Sequence, residues 1–263
     1  INIAPHAPYS VTAEALQASM RLAEELDTTW QIHLSETEEE RQNAIKEFGC
    51  SPVEYLAKLG CLNERTIAVH CVALSDRDIE LLAESGASVV HCPVSNMRLG
   101  CGASPVVKLL KAGINVALGT DGAASACSLS MFEQMRTAGL IAKGFSQDPT
   151  ELTVNQIIRM ATINGANALK LHCDAGSLAV GKFADLAVID MSQLVTMPVL
   201  DVLSNVIYAV EAQCVHQVWV SGSLVANIQQ EKLLRPDRGK LLTKSNIMSW
   251  QNRVCEILRD DFN

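Results

Sequence analysis

The chain has 263 residues, 48% of them hydrophobic and 19% charged, with a formal net charge of −8 at pH 7. This composition supports a large core in one α/β domain, or in a domain with an appendage. The dispersed acidic excess argues against nucleic acid or an anionic membrane surface as the main partner, and with no run of 18 apolar residues, no transmembrane helix is expected.

Nine cysteines are spread along the chain, none in a CxxC pair and several inside apolar runs. Reduced, buried thiols and a cytoplasmic location are the expectation, rather than a disulfide framework or a zinc knuckle.

In chain order, Ile1 to Ala4 reads as a strand, followed by the proline-punctuated loop Pro5-His6-Ala7-Pro8-Tyr9-Ser10. A chain that opens on Ile inside a strand reads as the C-terminal part of a longer protein. Ser10 or Thr12 caps a helix through Leu26, with Leu16, Met20, Leu22, Ala23 and Leu26 on one face. Trp30 to Leu34 is a strand, followed by an acidic helix start at Glu36 to Arg41 whose charges suit the positive end of a helix dipole.

Pro52 to Leu59 is a helix, Thr66 to Cys71 a strand, Ser75 to Ser85 a helix and Ala87 to Cys92 a strand. Pro93 to Gly102 reads as a loop, Pro105 to Ala112 as a helix, Asn115 to Thr120 as a strand and Ser128 to Lys143 as a helix. This β-α alternation with short connections predicts parallel strands covered by helices. No GxGxxG follows a strand, which disfavours a dinucleotide-binding sheet. Polar residues at nearly every strand end favour a barrel, whose site collects side chains from many strand tips.

After Leu152 the pattern changes. Thr153 to Leu171 reads as one helix, the turn at Gly181-Lys182 as a hairpin or meander, and Val215 to Val220 with Leu224 to Asn227 as a second hairpin. Lys240 to Phe262 reads as a terminal helix.

Four of the six histidines, His6, His33, His70 and His91, fall at or just after strand ends, which a barrel gathers at one mouth. Asp121 ends the buried run Val116 to Gly119; it is a metal ligand or proton acceptor, or else a cap for the next helix. Metal-assisted hydrolysis needs a ligand, an acceptor for the proton of the attacking water and a donor for the leaving group. His33 suits the first need, Asp121 the first or second, and Glu36 the last unless it only complements a helix terminus. His70 suits orientation of the attacking hydroxide or polarisation of the reacting centre. His91 is read instead as a structural hydrogen bond under the loop.

Five segments together resemble the amidohydrolase superfamily: Pro5-His6-Ala7-Pro8-Tyr9-Ser10, His33-Leu34-Ser35-Glu36-Thr37, His70-Cys71, His91-Cys92-Pro93-Val94-Ser95-Asn96 and Gly119-Thr120-Asp121-Gly122. More narrowly, the chain is similar to the 5-methylthioadenosine/S-adenosylhomocysteine deaminases, with s-triazine hydrolases and guanine deaminases as relatives. The stretches Gly176-Ser177-Leu178 and Gly181 to Leu186 resemble that family's small composite β-sandwich.

The resemblance implies a (β/α)8 TIM-type barrel of the metal-dependent hydrolase type, with strands four to eight present, plus part of a β-sandwich. It divides the chain into a partial catalytic barrel over 1–172, a sandwich portion over 173–230 and a C-terminal helix over 231–263 that packs on the barrel. It implies one Zn2+ (or Fe2+) held by His33 and Asp121, and catalytic roles for Glu36, His70 and Asp121. Glu36 is the proton shuttle to the ring nitrogen, while His6, Glu36 and Ser125 contact a small purine nucleoside. Deamination of adenine in S-adenosylhomocysteine or 5'-methylthioadenosine is the implied reaction, in a cytoplasmic enzyme for which a homo-oligomer stays open.

One departure is large. The family's HxH pair on the first barrel strand is absent, so His33 and Asp121 are two of about four expected ligands. A companion N-terminal segment is expected to supply the rest. The alternatives are a chlorotriazine- or guanine-type hydrolase, and a degenerate, non-catalytic barrel.

Overall fold

The computed structural model describes residues 2–227 and the short strand Lys232–Leu233. The chain forms two compact units. One comprises Ile1–Ser177 with Leu200–Ala209; the other comprises Leu178–Val199 with the described residues from Val210 onward.

The first unit is built on a parallel sheet whose spatial order is its sequence order: β1 (Trp30–Leu34), β2 (Thr66–His70), β3 (Ser88–His91) and β4 (Asn115–Leu118). The strand expected at Ile1 to Ala4 is reduced to one parallel bridge, Ile3 to Trp30. Ile3 donates to the Thr29 carbonyl at 3.0 Å and accepts from the Gln31 N–H at 2.8 Å. Pro5, two residues on, has no N–H with which to continue the ladder.

Helices α1 (Ala13–Glu25), α2 (Glu38–Phe48), α3 (Pro52–Lys58), α4 (Asp76–Ser85), α5 (Pro93–Arg98), α6 (Val106–Lys111), α7 (Ala123–Ala126) and α8 (Met131–Ser146) alternate with the strands or follow them. Helices α9 (Val154–Ala161), α10 (Ile163–Ala168) and α11 (Val202–Tyr208) complete the unit. Their starts are written locally. The side chains of Thr12, Thr37, Ser51, Ser75, Ser130 and Thr153 each accept a first-turn backbone N–H.

Strand alternation sorts the sheet into two faces. Trp30, Ile32 and Leu34 of β1, Ala68 of β2, Val89 of β3, and Val116 and Leu118 of β4 join the core with Leu16, Met20, Leu56, Leu82 and Leu109 from the helices. Burying each large side chain contributes about 1.5–3 kcal/mol before entropy is counted. Leu22 and Leu26, expected on the buried face of α1, are exposed. Leu16, Met20 and Ala23 already fill the stripe that meets the sheet.

Other segments also depart from expectation. Pro93 to Gly102 is not simply loop: Pro93 sits in the first turn of α5, where its missing N–H costs nothing. Thr153 to Leu171 is two helices, broken at Thr162 (φ −131°, ψ −96°). The Thr162 hydroxyl donates to the Ile158 carbonyl at 2.7 Å, a local bond that competes with the helix ladder. Helix α11, which no expectation covered, is capped by the Asp201 carboxylate on the Ser204 N–H.

The second unit is an antiparallel sheet in the order β5 (Leu186–Ile189), β6 (Val215–Val220), β7 (Ser223–Asn227), β8 (Lys232–Leu233). The β6–β7 hairpin is the expected one. Its two turn residues, Ser221 and Gly222, have φ of 49° and 75°, matching the twist of the flanking strands. No hairpin forms at Gly181-Lys182. Leu178 and Val180 are exposed, Gly181 breaks the run at φ 94°, and β5 pairs instead with β6. The terminal helix expected over Lys240 to Phe262 lies outside the described residues. Among the described residues no helix is long and apolar enough to cross a membrane.

Gly139 marks a tight helix contact in the first unit. A Cβ there would lie 2.7 Å from Tyr208 Oη and 2.9 Å from Ile157 Cδ1. Overpacking costs about 1–3 kcal/mol, and the better helix propensity of Ala returns up to about 1 kcal/mol. Gly139→Ala is therefore expected to lower the urea midpoint, and adding Tyr208→Phe to recover part of the loss. An unchanged or raised midpoint in the single variant would contradict this packing.

Candidate metal centre

His33 lies on β1 one residue before the buried Leu34, so alternation aims it away from the helix layer. Its Nδ1 lies 2.8 Å from the His6 carbonyl, whose oxygen also accepts the His33 N–H at 3.1 Å. A carbonyl only accepts, so Nδ1 carries the proton and Nε2 keeps a free lone pair.

His70 breaks the rule that places His33. It is in register with Leu34, and alternation alone would send its side chain into the helix layer. Its φ is 77°, a left-handed conformation costly for a non-glycine residue. The ring instead joins the His33 side of the sheet, stacked on the His33 ring with centroids 5.4 Å apart. Its Nδ1 lies 2.8 Å from Asn96 Oδ1, which leaves Nε2 facing Glu36 Oε1 at 3.8 Å.

Asp121 follows β4, also with positive φ (60°). Its Oδ2 accepts from the Ser95 hydroxyl at 2.6 Å and its Oδ1 from the Gly122 N–H at 2.7 Å. Burial raises the Asp121 carboxyl, but those two bonds and the neighbouring His70 and His33 rings outweigh it and hold the group below the ordinary aspartate value. The helix-cap alternative is not what forms: α7 has no side-chain cap hydrogen bond.

One potential ligand atom from each of His33, His70 and Asp121 lies within 4.8 Å of the other two. Imidazole and carboxylate donors with their far atoms already hydrogen-bonded suit a divalent ion such as Zn2+. The His33 and Asp121 donors therefore fit the metal expected from sequence, with the His70 imidazole close beside them.

Glu36 sits at the rim, where the Cys101 thiol approaches its Oε1 at 3.6 Å. Beside it opens a cavity of about 660 Å³ lined by Tyr9, Thr37, Glu39, Glu40 and Asn43 among others, within the size range of small-molecule sites. His6 is exposed, with its ring 5.2 Å from that of His33 and its Nδ1 2.7 Å from the Ser10 hydroxyl. Ser125 lies on α7, and its carbonyl accepts from Arg98, which also binds the Ala124 carbonyl at 2.7 Å. No hydrogen bond joins the Ser125 side chain to the cluster among the described residues.

Residues 1–225 match the profile of the amidohydrolase family. The chain belongs to this family. A 5-methylthioadenosine/S-adenosylhomocysteine deaminase of Teredinibacter turnerae is 45% identical over 254 residues, 97% of this chain and 57% of that protein. The crystal structure of an adenosine deaminase from Xanthomonas campestris with bound zinc superposes with a TM-score of 0.88 at 39% identity, covering 96% of this chain and 57% of that one. An atrazine chlorohydrolase from Arthrobacter aurescens complexed with zinc gives a TM-score of 0.80 at 25% identity, over 90% of this chain and 51% of that one. The chain thus spans little more than half the length of these relatives. Its parallel sheet with covering helices belongs to the TIM-barrel amidohydrolase fold, and its small antiparallel sheet accompanies that fold.

The amidohydrolase site draws on residues that sequence reasoning missed. Ser95 and Asn96 were read as loop within a segment that carries the family resemblance and were given no role, yet both are fully buried on α5 and hold Asp121 and His70. Their signal was two small polar residues after a proline, beside a strand-end histidine.

His91 stays out of the site. It follows Val89 on the helix-facing side of β3 and is 2% exposed. The hydrogen bond expected of it is missing at Nδ1, which has no partner among the described residues. Burial, with His70 nearby, pushes the imidazole down to about 3, so it is neutral in the fold. An unfolded histidine has a pKa of about 6.5, so between these values the unfolded chain binds the extra proton and stability falls as pH falls. Between pH 7.5 and pH 5 the loss from this group is about 2 kcal/mol. His91→Leu is expected to flatten that part of the pH dependence of denaturant unfolding. A wild-type slope retained in the variant would contradict a buried neutral imidazole.

Proposed function

We propose that the complete protein is a metal-dependent hydrolytic deaminase that converts the adenine of S-adenosylhomocysteine or 5'-methylthioadenosine to hypoxanthine with release of ammonia. The observation that carries this reading is the convergence of His33, His70 and Asp121 beside Glu36 at one strand-end rim. The deaminase named among the relatives supports the substrate class.

A bound Zn2+ (or Fe2+) would supply Lewis acidity that makes water a nucleophile at neutral pH. His33 and Asp121 would hold the ion. Asp121 takes a proton from the attacking water. His70 orients that water from its Nε2, fixed by the Asn96 bond. Glu36 protonates the ring nitrogen as oxygen adds to the amino-bearing carbon. The second water proton leaves with the amino group as ammonia, and the proton held by Asp121 passes back to Glu36, which closes the cycle. His6 and Ser125 are substrate contacts in this reading.

An HxH pair from a segment other than residues 1–263 would complete the ligand set, since no HxH occurs in this sequence. The organisation into a barrel portion over 1–172, a sandwich portion over 173–230 and a terminal helix over 231–263 is part of the same proposal. A compact unit ending its first stretch at Ser177 supports the first boundary. A cytoplasmic setting is supported by eight free cysteines among the described residues.

Asp121→Asn keeps the shape and removes the proton acceptor, so ammonia release from S-adenosylhomocysteine is expected to fall by roughly 10²–10⁴-fold. A near wild-type rate would overturn the mechanism. Turnover of guanine or a chlorotriazine, with none of the adenine nucleosides, would move the substrate assignment to the related hydrolases.

A further inference from the structure

Glu40 is not among the residues assigned above, yet its carboxylate is spent on the chain that carries Glu36. Its Oε1 accepts the Ser35 N–H at 2.9 Å and its Oε2 accepts the Glu36 N–H at 2.7 Å. Both oxygens of one carboxylate thus grip two consecutive peptide groups. The grip spans a strained link. Ser35 is fully buried with φ 49°, and it joins His33 on β1 to Glu36 at the rim. The Ser35 carbonyl accepts from the N–H groups of Val72 and Ala73, both at 2.9 Å, just beyond His70.

The use of Glu40 differs from that of its counterparts in the same chain. It is the third residue of α2, after the cap Thr37, whose hydroxyl accepts the Glu40 N–H at 3.0 Å. In α3, α4 and α9 the residue at that position, Glu54, Asp78 or Gln156, returns its side chain to the backbone N–H of the cap, closing a capping box. In α2 the carboxylate passes over the cap and binds the two residues before it. Helix formation alone does not require that reach.

The arrangement also has a cost. Burial raises the Glu40 carboxyl above its ordinary value, the bonds from Glu36 and Ser35 pull it back, and the Glu36 charge raises it further. No Lys or Arg forms an ion pair with Glu40 among the described residues. A half-buried carboxylate compensated by peptide N–H groups, beside a second carboxylate, is a poor choice for stability alone.

We infer that Glu40 is a positioning residue: its bidentate hold on the Ser35 and Glu36 peptides fixes the left-handed turn that aims Glu36 at the reacting ring. The inference rests on the assignment of Glu36 as proton carrier. Glu40 lines the cavity beside Glu36, but both of its carboxylate oxygens are taken up by peptide N–H groups, so the role inferred is positional. Its effect is confined to where the Glu36 carboxyl stands, and a displacement of about 1 Å at a reacting group costs up to about 100-fold in rate.

The test uses the complete metal-loaded protein carrying Glu40→Gln, in which one acceptor becomes an amide donor facing an N–H. The readouts are kcat and KM for an adenine nucleoside, bound metal, thermal midpoint, and hydrogen exchange of the Ser35 and Glu36 amides. Expected are a fall in kcat of about 10- to 100-fold, KM within about two-fold, unchanged metal content and faster exchange at these two amides. Glu40→Asp, too short to reach both groups, is expected to do the same and decides the matter if the Gln variant fails to fold. Wild-type kcat with Glu40→Gln overturns the inference, as does a loss of kcat matched by loss of metal and of folding in both variants. Glu36→Gln runs in parallel. If it retains full turnover, the assignment of Glu36 is what fails, while amide exchange still reports whether the clamp exists.

Discussion

The site depends on one backbone constraint, the left-handed conformation of His70 at the tip of β2. Strand alternation puts residues in register on the same face, and His70 is in register with Leu34, which belongs to the core. With φ 77° the His70 ring instead stacks on His33. Without that departure the two imidazoles would stand on opposite faces of the sheet, and Asp121 would face a single histidine. The Nδ1 bond to Asn96 offsets that strain, while the following Cys71 is also left-handed, with φ 49°, and lies in the core.

Around that turn the neighbouring elements act as supports. Helix α5, wedged after β3, supplies Ser95 to Asp121 and Asn96 to His70 from adjacent positions. The His6 carbonyl sets the His33 tautomer. Each potential ligand therefore has its far side occupied before any ion arrives, the arrangement in which outer contacts set ligand orientation and basicity. The rigid sheet carries the ligands and the loops carry the rim, an economical division in a fold that gathers its chemistry at strand ends.

Much of this was legible in the sequence. Trp30–Leu34 was read with the observed bounds, because a short apolar run between turn formers has few alternatives as a buried parallel strand. The starts of α1 and α4 followed from candidate caps, Ser10 or Thr12 for the first, where Thr12 serves, and Ser75 for the second. The motifs around His33, Glu36, His70 and Asp121 pointed to one rim. What stayed hidden was non-local or conformational. His70 and His91 were given different roles from sequence, but the feature that puts the His70 ring beside His33 while His91 stays in the helix layer is a backbone dihedral at one position, which the residue pattern does not register. The roles of Ser95, Asn96 and Glu40 depend on which neighbour each side chain reaches. The break at Thr162 came from a side-chain bond that helix propensity does not register.

The central claim is that His33 and Asp121 are ligands of one catalytic ion at this rim. Anomalous diffraction at the metal absorption edge, on crystals of the complete metal-loaded protein, tests it directly. The account predicts a single peak about 2.0–2.2 Å from His33 Nε2 and from an Asp121 carboxylate oxygen. A peak elsewhere, or an ion coordinated by neither residue, would contradict it.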